Sequence, residues 1–212
     1  SASSAASDVY KRQVLEAFRL IGSEQIQGRA SLGGNLCNGS PAGDSVPALI
    51  AAGCKAVIAG PKGRKDVPIE NFHLGPGKTV LENGEMLVSL KFPKRVSNSA
   101  DAYLRMTPRT EMDIAVVGCG VNISLENDIC THARVSLGAV APTPLLIEKA
   151  SDIMVGSKLD DDTLNRVSKI CMDACNPIND KRGTIDYRTK VAGVLFKRAT
   201  KLEAERLSLI HI

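Results

Sequence analysis

The stretch RASLGGNLCNGSPAGD, residues 29–44, combines a pair of glycines with small polar side chains. Two consecutive glycines remove the Cβ atoms that would hold a ligand away from the backbone, and they permit a positive φ. Ser31 and Asn35 add a hydroxyl and an amide that suit the hydroxyls or phosphates of a nucleotide, whereas Asp44 is an acceptor that suits sugar hydroxyls. Taken alone, the stretch favours a tight turn, and a ligand-binding loop is the alternative.

The same stretch lacks the two best-known phosphate-binding motifs. No G-x-G-x-x-G opens a helix, so the Rossmann pattern is absent, and no Gly-Lys-Ser/Thr follows, so the P-loop pattern is absent too. A glycine-rich turn can still present several N–H groups to an anionic or electron-rich group. These residues are therefore compatible with a nucleotide-like cofactor, but they do not identify one.

The composition is typical of a globular protein and excludes several functional classes. Of the 212 residues, 43% are hydrophobic and 24% charged, and the net charge is +4. No basic run interleaves with aromatic residues, so no nucleic-acid partner is predicted. No apolar run approaches the roughly 18 residues that cross a membrane, so no membrane association is predicted. Six scattered cysteines without metal-binding spacing favour a reducing, cytoplasmic setting and predict no metal site.

Hydrophobic periodicity predicts an α+β fold in two parts. The first part has two short helices and two strands, at residues 14–20, 46–52, 55–59 and 85–93. A polar stretch places a domain boundary near residue 97. The second part has two strands joined by a hairpin turn and then three helices, at residues 114–125, 129–137, 145–154, 161–174 and 186–205. We therefore expect an antiparallel sheet of two or three strands with helices on one face.

Both ends of the chain differ in character from the rest. Residues 3–13, SSAASDVYKRQ, and residues 207–212, LSLIHI, resemble in-frame translations of a sequencing adapter. Segments of this kind are left out of fold reasoning. We therefore expect residues 1–13 and 207–212 to be non-native tails of a metagenomic fragment whose native part is residues 14–206.

The order of several motifs resembles one family. Residues 21–49, IGSEQIQGRASLGGNLCNGSPAGDSVPAL, resemble the second FAD-contacting stretch of the flavin subunits of molybdenum hydroxylases of the xanthine dehydrogenase and aerobic carbon monoxide dehydrogenase type. Residues 67–93, VPIENFHLGPGKTVLENGEMLVSLKFP, resemble the continuation of that domain. Residues 103–123, YLRMTPRTEMDIAVVGCGVNI, resemble the start of the C-terminal flavoprotein domain. Matches at residues 134–144, RVSLGAVAPTP, and 185–199, IDYRTKVAGVLFKRA, extend the resemblance over nearly the whole chain.

The resemblance implies two domains. Residues 14–97 would form the C-terminal part of a PCMH-type FAD-binding domain, and residues 98–206 would form a C-terminal flavoprotein domain in which an antiparallel sheet packs against helices. The family begins with a small subdomain that carries a first glycine motif for the FAD pyrophosphate. Nothing before Val14 matches that motif, so we expect an N-terminally truncated fragment that holds half of the FAD site and binds FAD weakly.

The resemblance also implies which residues contact FAD. Residues 31–35 fall on the flavin-binding motif, Asp44 on an Asp that contacts FAD, and Leu87 where an apolar side chain lies beside the flavin. Arg105 falls where the family often has a Lys facing the cofactor, and this change keeps the charge but alters its geometry. The complete implied set is Ile21, Gly22, Ser31, Leu32, Gly33, Gly34, Asn35, Asp44, Leu87 and Arg105.

The function that the resemblance implies is electron transfer through FAD. A molybdopterin-binding large subunit would oxidise the substrate at a molybdenum cofactor, and two-iron two-sulfur clusters of a small subunit would pass the electrons to FAD in this chain. NAD or another acceptor would then take them. The flavin carries the redox chemistry, so no catalytic side chain is predicted. Two alternatives are an unrelated FAD-dependent oxidoreductase of the same flavin-binding fold, and a non-catalytic module that has lost its flavin.

Overall fold

The computed structural model describes residues 12–110 and 112–210, with side chains up to residue 207. Residues 12–95, here called the N-terminal half, begin with short helices and continue as short strands. The helices are α1 (Arg12–Phe18), α2 (Glu24–Gln27), α3 (Leu32–Cys37) and α4 (Ser45–Ala51). The strands are β1 (Lys55–Gly60), β2 (Gly63–Pro68), β3 (His73–Gly75), β4 (Lys78–Thr79) and β5 (Met86–Lys91), with a 3-10 turn at Ile69–Asn71.

Residues 99–210, here called the C-terminal half, form a sheet followed by helices. The elements are β6 (Ser99–Met106), β7 (Val117–Glu126), β8 (Ile129–Gly138), β9 (Leu145–Leu146), α5 (Glu148–Met154), α6 (Asp161–Asp173) and α7 (Ile185–Ile210). The strand orders are β2-β1-β5, β3-β4 and β6-β7-β8-β9, and every pairing described is antiparallel. The predicted α+β class is confirmed, and the larger sheet has four strands rather than two or three.

The β6–β9 sheet separates the two hydrophobic cores. Because successive side chains of a strand point to opposite faces, β6 serves both cores. One face packs with helices α5, α6 and α7, and its β6 residues are Ala100, Ala102, Leu104 and Met106. The opposite face meets the N-terminal half: Tyr103 belongs to that core, and Arg105 pairs with a residue of that half.

Glycines on this second face let helix α4 lie directly on the sheet. A Cβ atom at Gly120 would be 2.8 Å from the carbonyl oxygen of Pro47, and one at Gly138 would be 2.5 Å from Pro47 Cγ. Real Cβ atoms do not come that close, so both positions require glycine. Arg134 of β8 adds two hydrogen bonds, from Nε and Nη2, to the carbonyl oxygen of Ile50 at 3.1 and 3.0 Å. The two halves are therefore packed against each other.

Strand β6 is absent from the sequence-based prediction. Its second face is covered by the N-terminal half, so Asp101 and Arg105 are buried or nearly so, and the strand does not show the usual exposure of its polar residues. The strand predicted at residues 114–125 begins at Val117 instead. The preceding residues form a loop in which Met112 adopts a φ of +52°.

The first predicted helix of the C-terminal half also begins later than expected. The prediction covered residues 145–154, but Leu145 and Leu146 pair with Leu137 and Ser136 of β8 as a short edge strand. Helix α5 therefore starts at Glu148. Apolar residues at this position fit either a strand or a helix, and periodicity alone does not separate the two.

The last helix extends beyond its predicted end at residue 205. It runs to Ile210, and Leu207 is 3% exposed within the core of the C-terminal half. Residues 1–11 and 211–212 lie outside the described part of the chain, whereas residues 12, 13 and 207–210 belong to α1 and α7. The non-native origin predicted for residues 1–13 and 207–212 stays a prediction, because a position in a helix does not show where a segment comes from. Among the helices described, none is both long and apolar enough to cross a membrane.

Candidate functional site

The glycine pair lies in a helix, so the predicted tight turn is wrong. Ser31 is the N-cap residue of α3, and its hydroxyl oxygen accepts a hydrogen bond from the Gly34 N–H at 3.0 Å. This cap satisfies a backbone donor that a helix start leaves free, and it favours helix over turn. Gly33 and Gly34 accordingly follow the helix and do not adopt the positive φ that their residue type permits.

The two glycines have different surroundings. A Cβ atom at Gly34 would be 3.1 Å from the Ser31 hydroxyl oxygen, so Gly34 gives the cap its room. A Cβ atom at Gly33 would be 3.4 Å from Leu87 Cδ2, an ordinary contact with a flexible side chain. The structure thus brings the glycine motif against Leu87, as expected if both line one site. Gly33 presents bare backbone at this place.

A β-bulge gives Leu87 its orientation. In the pairing of β1 with β5, Val57 lies opposite Ser89 and Ile58 lies opposite Leu87, which leaves Val88 as the extra residue. Bulges change the direction of neighbouring side chains and occur often beside functional sites. Leu87 is half-buried and packs on the core of the N-terminal half, beneath α3.

Asn35 joins α3 to the start of α4. Its Oδ1 atom accepts hydrogen bonds from the Ser45 N–H at 3.2 Å and from the Ser45 hydroxyl at 2.7 Å. The amide oxygen is therefore used within the protein. In the structure Asn35 holds Ser45, the residue next to Asp44, and its predicted contact with the cofactor stays a prediction.

Asp44 and Arg105 form an ion pair between the two halves. Arg105 Nη1 is 3.0 Å from Asp44 Oδ2, with 6% and 11% of the two side chains exposed. The Tyr103 hydroxyl donates to Asp44 Oδ1 over a longer distance of 3.4 Å. Burial raises the pKa of Asp44, while the positive charge and hydrogen bond of Arg105 and the Tyr103 hydroxyl oppose that rise. The sequence named Asp44 and Arg105 separately, and the structure joins them.

Ile21 and Gly22 form a turn that contacts the loop after β6. Gly22 follows α1 with a φ of +59°, and a Cβ atom there would be 2.8 Å from Ile26, so both conformation and space require glycine. The carbonyl oxygen of Gly22 accepts a weak hydrogen bond of 3.4 Å from the Met112 N–H. This turn therefore lies beside the segment that follows Arg105.

An ion pair and a hydrogen bond to the backbone, both missed by sequence reasoning, hold this segment in place. Asp113 accepts from the Ile114 N–H at 2.9 Å and from Arg182 Nε at 3.2 Å. Arg188, 4% exposed, donates to the carbonyl oxygen of Val116 at 2.8 Å. The sequence shows both arginines but not the atoms that they contact, because the contacted residues are 69 and 72 positions away.

The residues that meet around α3 fit a flavin nucleotide. They offer bare backbone at Gly33, an apolar side chain at Leu87, a hydroxyl at Ser31 and the charged pair Asp44–Arg105. A flavin nucleotide needs an apolar contact for its ring, acceptors for its sugar-type hydroxyls and donors for its polar edges and phosphates. In the described residues, no cluster of three or more His, Cys, Asp or Glu could hold a metal ion.

Comparison with known domains places the chain among flavoproteins. Residues 2–95 match the FAD binding domain in molybdopterin dehydrogenase, and residues 102–202 match the CO dehydrogenase flavoprotein C-terminal domain. The sequence-based order of domains is thereby confirmed. The exact bounds predicted at 14–97 and 98–206 stay predictions.

Individual relatives agree with these matches. The medium chain of carbon monoxide dehydrogenase from Hydrogenophaga pseudoflava is 33% identical over 184 residues, 87% of this chain and 64% of the relative. The putative xanthine dehydrogenase FAD-binding subunit of Escherichia coli K12 is 32% identical over 179 residues, 84% of this chain and 61% of the relative. The structure of carbon monoxide dehydrogenase from H. pseudoflava that lacks the Mo-pyranopterin moiety superposes with a TM-score of 0.92 at 31% identity, covering 97% of this chain and 71% of that chain.

The fold and the two matched domains define a flavoprotein. More narrowly, the chain belongs to the family of FAD-binding subunits of molybdenum hydroxylases, which the sequence resemblance predicted. The chain spans 61–65% of the length of these two relatives and of two further ones. The further relatives are the xanthine dehydrogenase FAD-binding subunit of Escherichia coli O157:H7 and the carbon monoxide dehydrogenase medium chain of Afipia carboxidovorans.

Proposed function

We propose that the chain acts in an FAD-binding electron-transfer subunit of a molybdenum hydroxylase, an oxidoreductase. The observation that carries the proposal is the convergence of implied flavin contacts from separate segments. Gly33 of α3 lies against Leu87 of β5, and Asp44 beside α4 pairs with Arg105 of β6. Family membership disfavours the alternative of an unrelated FAD-dependent oxidoreductase.

The residues of this chain would bind and orient the cofactor. The backbone at Gly33 allows a flat group to approach closely, and Leu87 supplies an apolar contact beside it. The Asp44 carboxylate would accept hydrogen bonds from hydroxyls of the cofactor, while Arg105 contributes a fixed positive charge. When bound, FAD supplies the redox chemistry, and the protein adjusts it through such contacts and charges. The proposed set of contacts is completed by Ile21, Gly22, Ser31, Leu32, Gly34 and Asn35.

The wider assembly follows from the family. We place the chain beside a molybdopterin-binding large subunit and an iron–sulfur small subunit, from whose two-iron two-sulfur clusters its FAD would take electrons. NAD or another acceptor would receive them. A cytoplasmic location is supported by the cysteines, all six of which are unpaired thiols. Neither a nucleic-acid partner nor a membrane partner forms part of the proposal.

The test is the flavin content of the full gene product, produced together with its neighbouring subunits. We expect the visible absorption bands of bound flavin. A folded product that stays colourless and takes up no added FAD would refute the proposal and favour a module that has lost its flavin.

The substitution Gly33→Ala distinguishes an effect on FAD binding from an effect on the stability of the fold. Replacing glycine by alanine inside a helix stabilises the fold by about 0.5–1 kcal/mol, and the nearest atom to the new Cβ would be 3.4 Å away. On the proposed flavin surface, the added methyl should weaken FAD binding by about tenfold, equal to about 1.4 kcal/mol of overpacking. The matched control is Gly28→Ala, whose Cβ would be 3.5 Å from the Gln25 carbonyl oxygen and which lies outside the proposed contacts. Equal FAD affinity in both variants would argue against the assigned surface.

A further inference from the structure

Tyr103 and Arg105 reach the same carboxylate from one face of β6. They are two residues apart in the strand, so their side chains point the same way. Arg105 Nη1 contacts Asp44 Oδ2 at 3.0 Å, and the Tyr103 hydroxyl contacts Asp44 Oδ1 at 3.4 Å. Each oxygen of Asp44 therefore has its own donor from the C-terminal half.

The phenol of Tyr103 sits in a space that a glycine provides. Tyr103 is 3% exposed, and a buried tyrosine hydroxyl usually requires a hydrogen-bond partner. A Cβ atom at Gly118 of β7 would be 2.7 Å from the Tyr103 hydroxyl oxygen, so any side chain there would displace the phenol. Gly118 is also the register partner of Arg105. Gly118 thus leaves room for the Tyr103 hydroxyl and lies opposite Arg105, the other donor to Asp44.

The charged and titratable groups around Tyr103 come from β6, β7, α1 and the start of α4. Asp44 faces Arg105 and Tyr103 from β6, and the backbone N–H of Tyr103 donates to Glu16 Oε2 of α1 at 3.2 Å. Burial is the largest cause that raises the pKa of the phenol, and the charge of Asp44 raises it further. The positive charge of Arg105 opposes this rise, and Cys119 on β7 adds to it. The phenol therefore keeps its proton at neutral pH and can donate it to Asp44.

We propose that Tyr103 is a positioning residue of the flavin site, which holds the Asp44 carboxylate ionised and oriented to accept hydroxyl groups of the cofactor. With one donor on each oxygen, Asp44 cannot rotate freely, and each oxygen keeps acceptor capacity for a ligand. The inference rests on the proposed function, because Asp44 acts on FAD only if the chain binds FAD. Gly118 supports the same arrangement by leaving room for the phenol.

Tyr103→Phe tests this role because it keeps the ring and removes only the hydroxyl. FAD affinity of the full gene product is measured by fluorescence titration between mildly acidic and neutral pH, and thermal unfolding is followed in parallel. We expect affinity to fall by about three- to tenfold. A hydrogen bond to the charged form lowers the pKa of a carboxyl, so loss of the Tyr103 hydroxyl should raise the pKa of Asp44. FAD affinity, which is expected to fall as Asp44 becomes protonated, should then begin to fall at a higher pH than in the wild type. Tyr187→Phe, at a partly exposed tyrosine of α7, is the matched control and should leave both quantities unchanged.

A second variant distinguishes positioning from general packing. In an Asp44→Asn background, Tyr103→Phe should cause little further loss of affinity, because the two residues act as a unit. The inference is overturned if Tyr103→Phe leaves the affinity and its pH dependence equal to wild type. It is also overturned if affinity falls equally with and without Asp44. If the wild-type protein itself takes up no FAD, the proposed function fails instead.

Discussion

Arg105 and Asp44 connect the two halves of the chain through a nearly buried ion pair of 3.0 Å. Burying two charges costs solvation, which their attraction offsets only while both partners are present. Removing one member of the pair is therefore expected to lower the free energy of unfolding, because the other charge stays buried without a partner.

Arg105→Met should destabilise the protein by about 2–4 kcal/mol, because Asp44 would remain buried without its cation. Chemical unfolding at neutral pH measures the loss. The matched control is Lys91→Met, which breaks an ion pair of similar length, 3.1 Å, whose side chains are 67% and 38% exposed. That variant should lose far less, since solvent screens exposed pairs. If Arg105→Met lowers the free energy of unfolding as little as Lys91→Met does, the prediction is wrong. The Asp44 carboxylate would then readily find another partner or water.

Gly138→Ala should destabilise the packing of α4 on the sheet. The new Cβ atom would lie 2.5 Å from Pro47 Cγ, in a ring that cannot turn away. Overpacking of this kind costs about 1–3 kcal/mol. Gly75→Ala is the control, because its Cβ would meet nothing within 4 Å and its φ is not in the left-handed region. A Gly138→Ala protein as stable as the Gly75→Ala protein would show that α4 can shift away from β8.

Glu203 of α7 should make stability fall as pH rises. The residue is 0% exposed, and neither of its carboxyl oxygens has a hydrogen-bond partner of good geometry among the residues that the structure describes. Burial raises the pKa of Glu203 well above its usual value, Asp101 and Glu16 raise it further, and the backbone of Ala102 and Arg206 oppose the rise. Above the pKa of the unfolded chain, the folded state binds the extra proton, so stability decreases with increasing pH.

Glu203→Gln removes this titration. We expect the variant to be more stable than wild type at neutral pH, and the advantage to shrink as the pH approaches the ordinary range of a glutamic acid, about 4. Urea unfolding at several pH values measures the difference. The control Glu126→Gln, at an exposed position of β7, should show no such trend. An advantage of Glu203→Gln that is constant with pH would contradict this prediction, because it would mean that the pKa of Glu203 is the same in the folded and the unfolded chain.

Local patterns predicted the elements whose partners lie nearby in the chain. Helix α4 and the β7–β8 hairpin appeared in the sequence as an apolar segment and as two strands around Asn127 and Asp128, both of which take a positive φ. Motif order then supplied the family, and it supplied the positions that are proposed for the site. The tight turn predicted at the glycine pair was wrong. Glycine permits a turn, but the Ser31 side chain caps the helix that forms there instead.

Contacts between distant segments could not be predicted in the same way. Tyr103 and Asp44 are 59 residues apart, and nothing in the local pattern relates them. Strand β6 was missed for the same reason, since its polar residues are buried by a part of the chain that precedes it. The register of β6 on β7, which aligns Arg105 with Gly118, exists only once the sheet is formed.

The contact of Pro47 with Gly120 and Gly138 has a consequence for recombination between relatives. A crossover near residue 97 would cut the chain in a loop, yet it would exchange one side of an interface in which Pro47 leaves no room for a Cβ atom at Gly120 or Gly138. A chimera would keep this fit only if the donor of its sheet also has glycine at both positions. The boundary that is easiest to see in the sequence is therefore a poor place to join two parents.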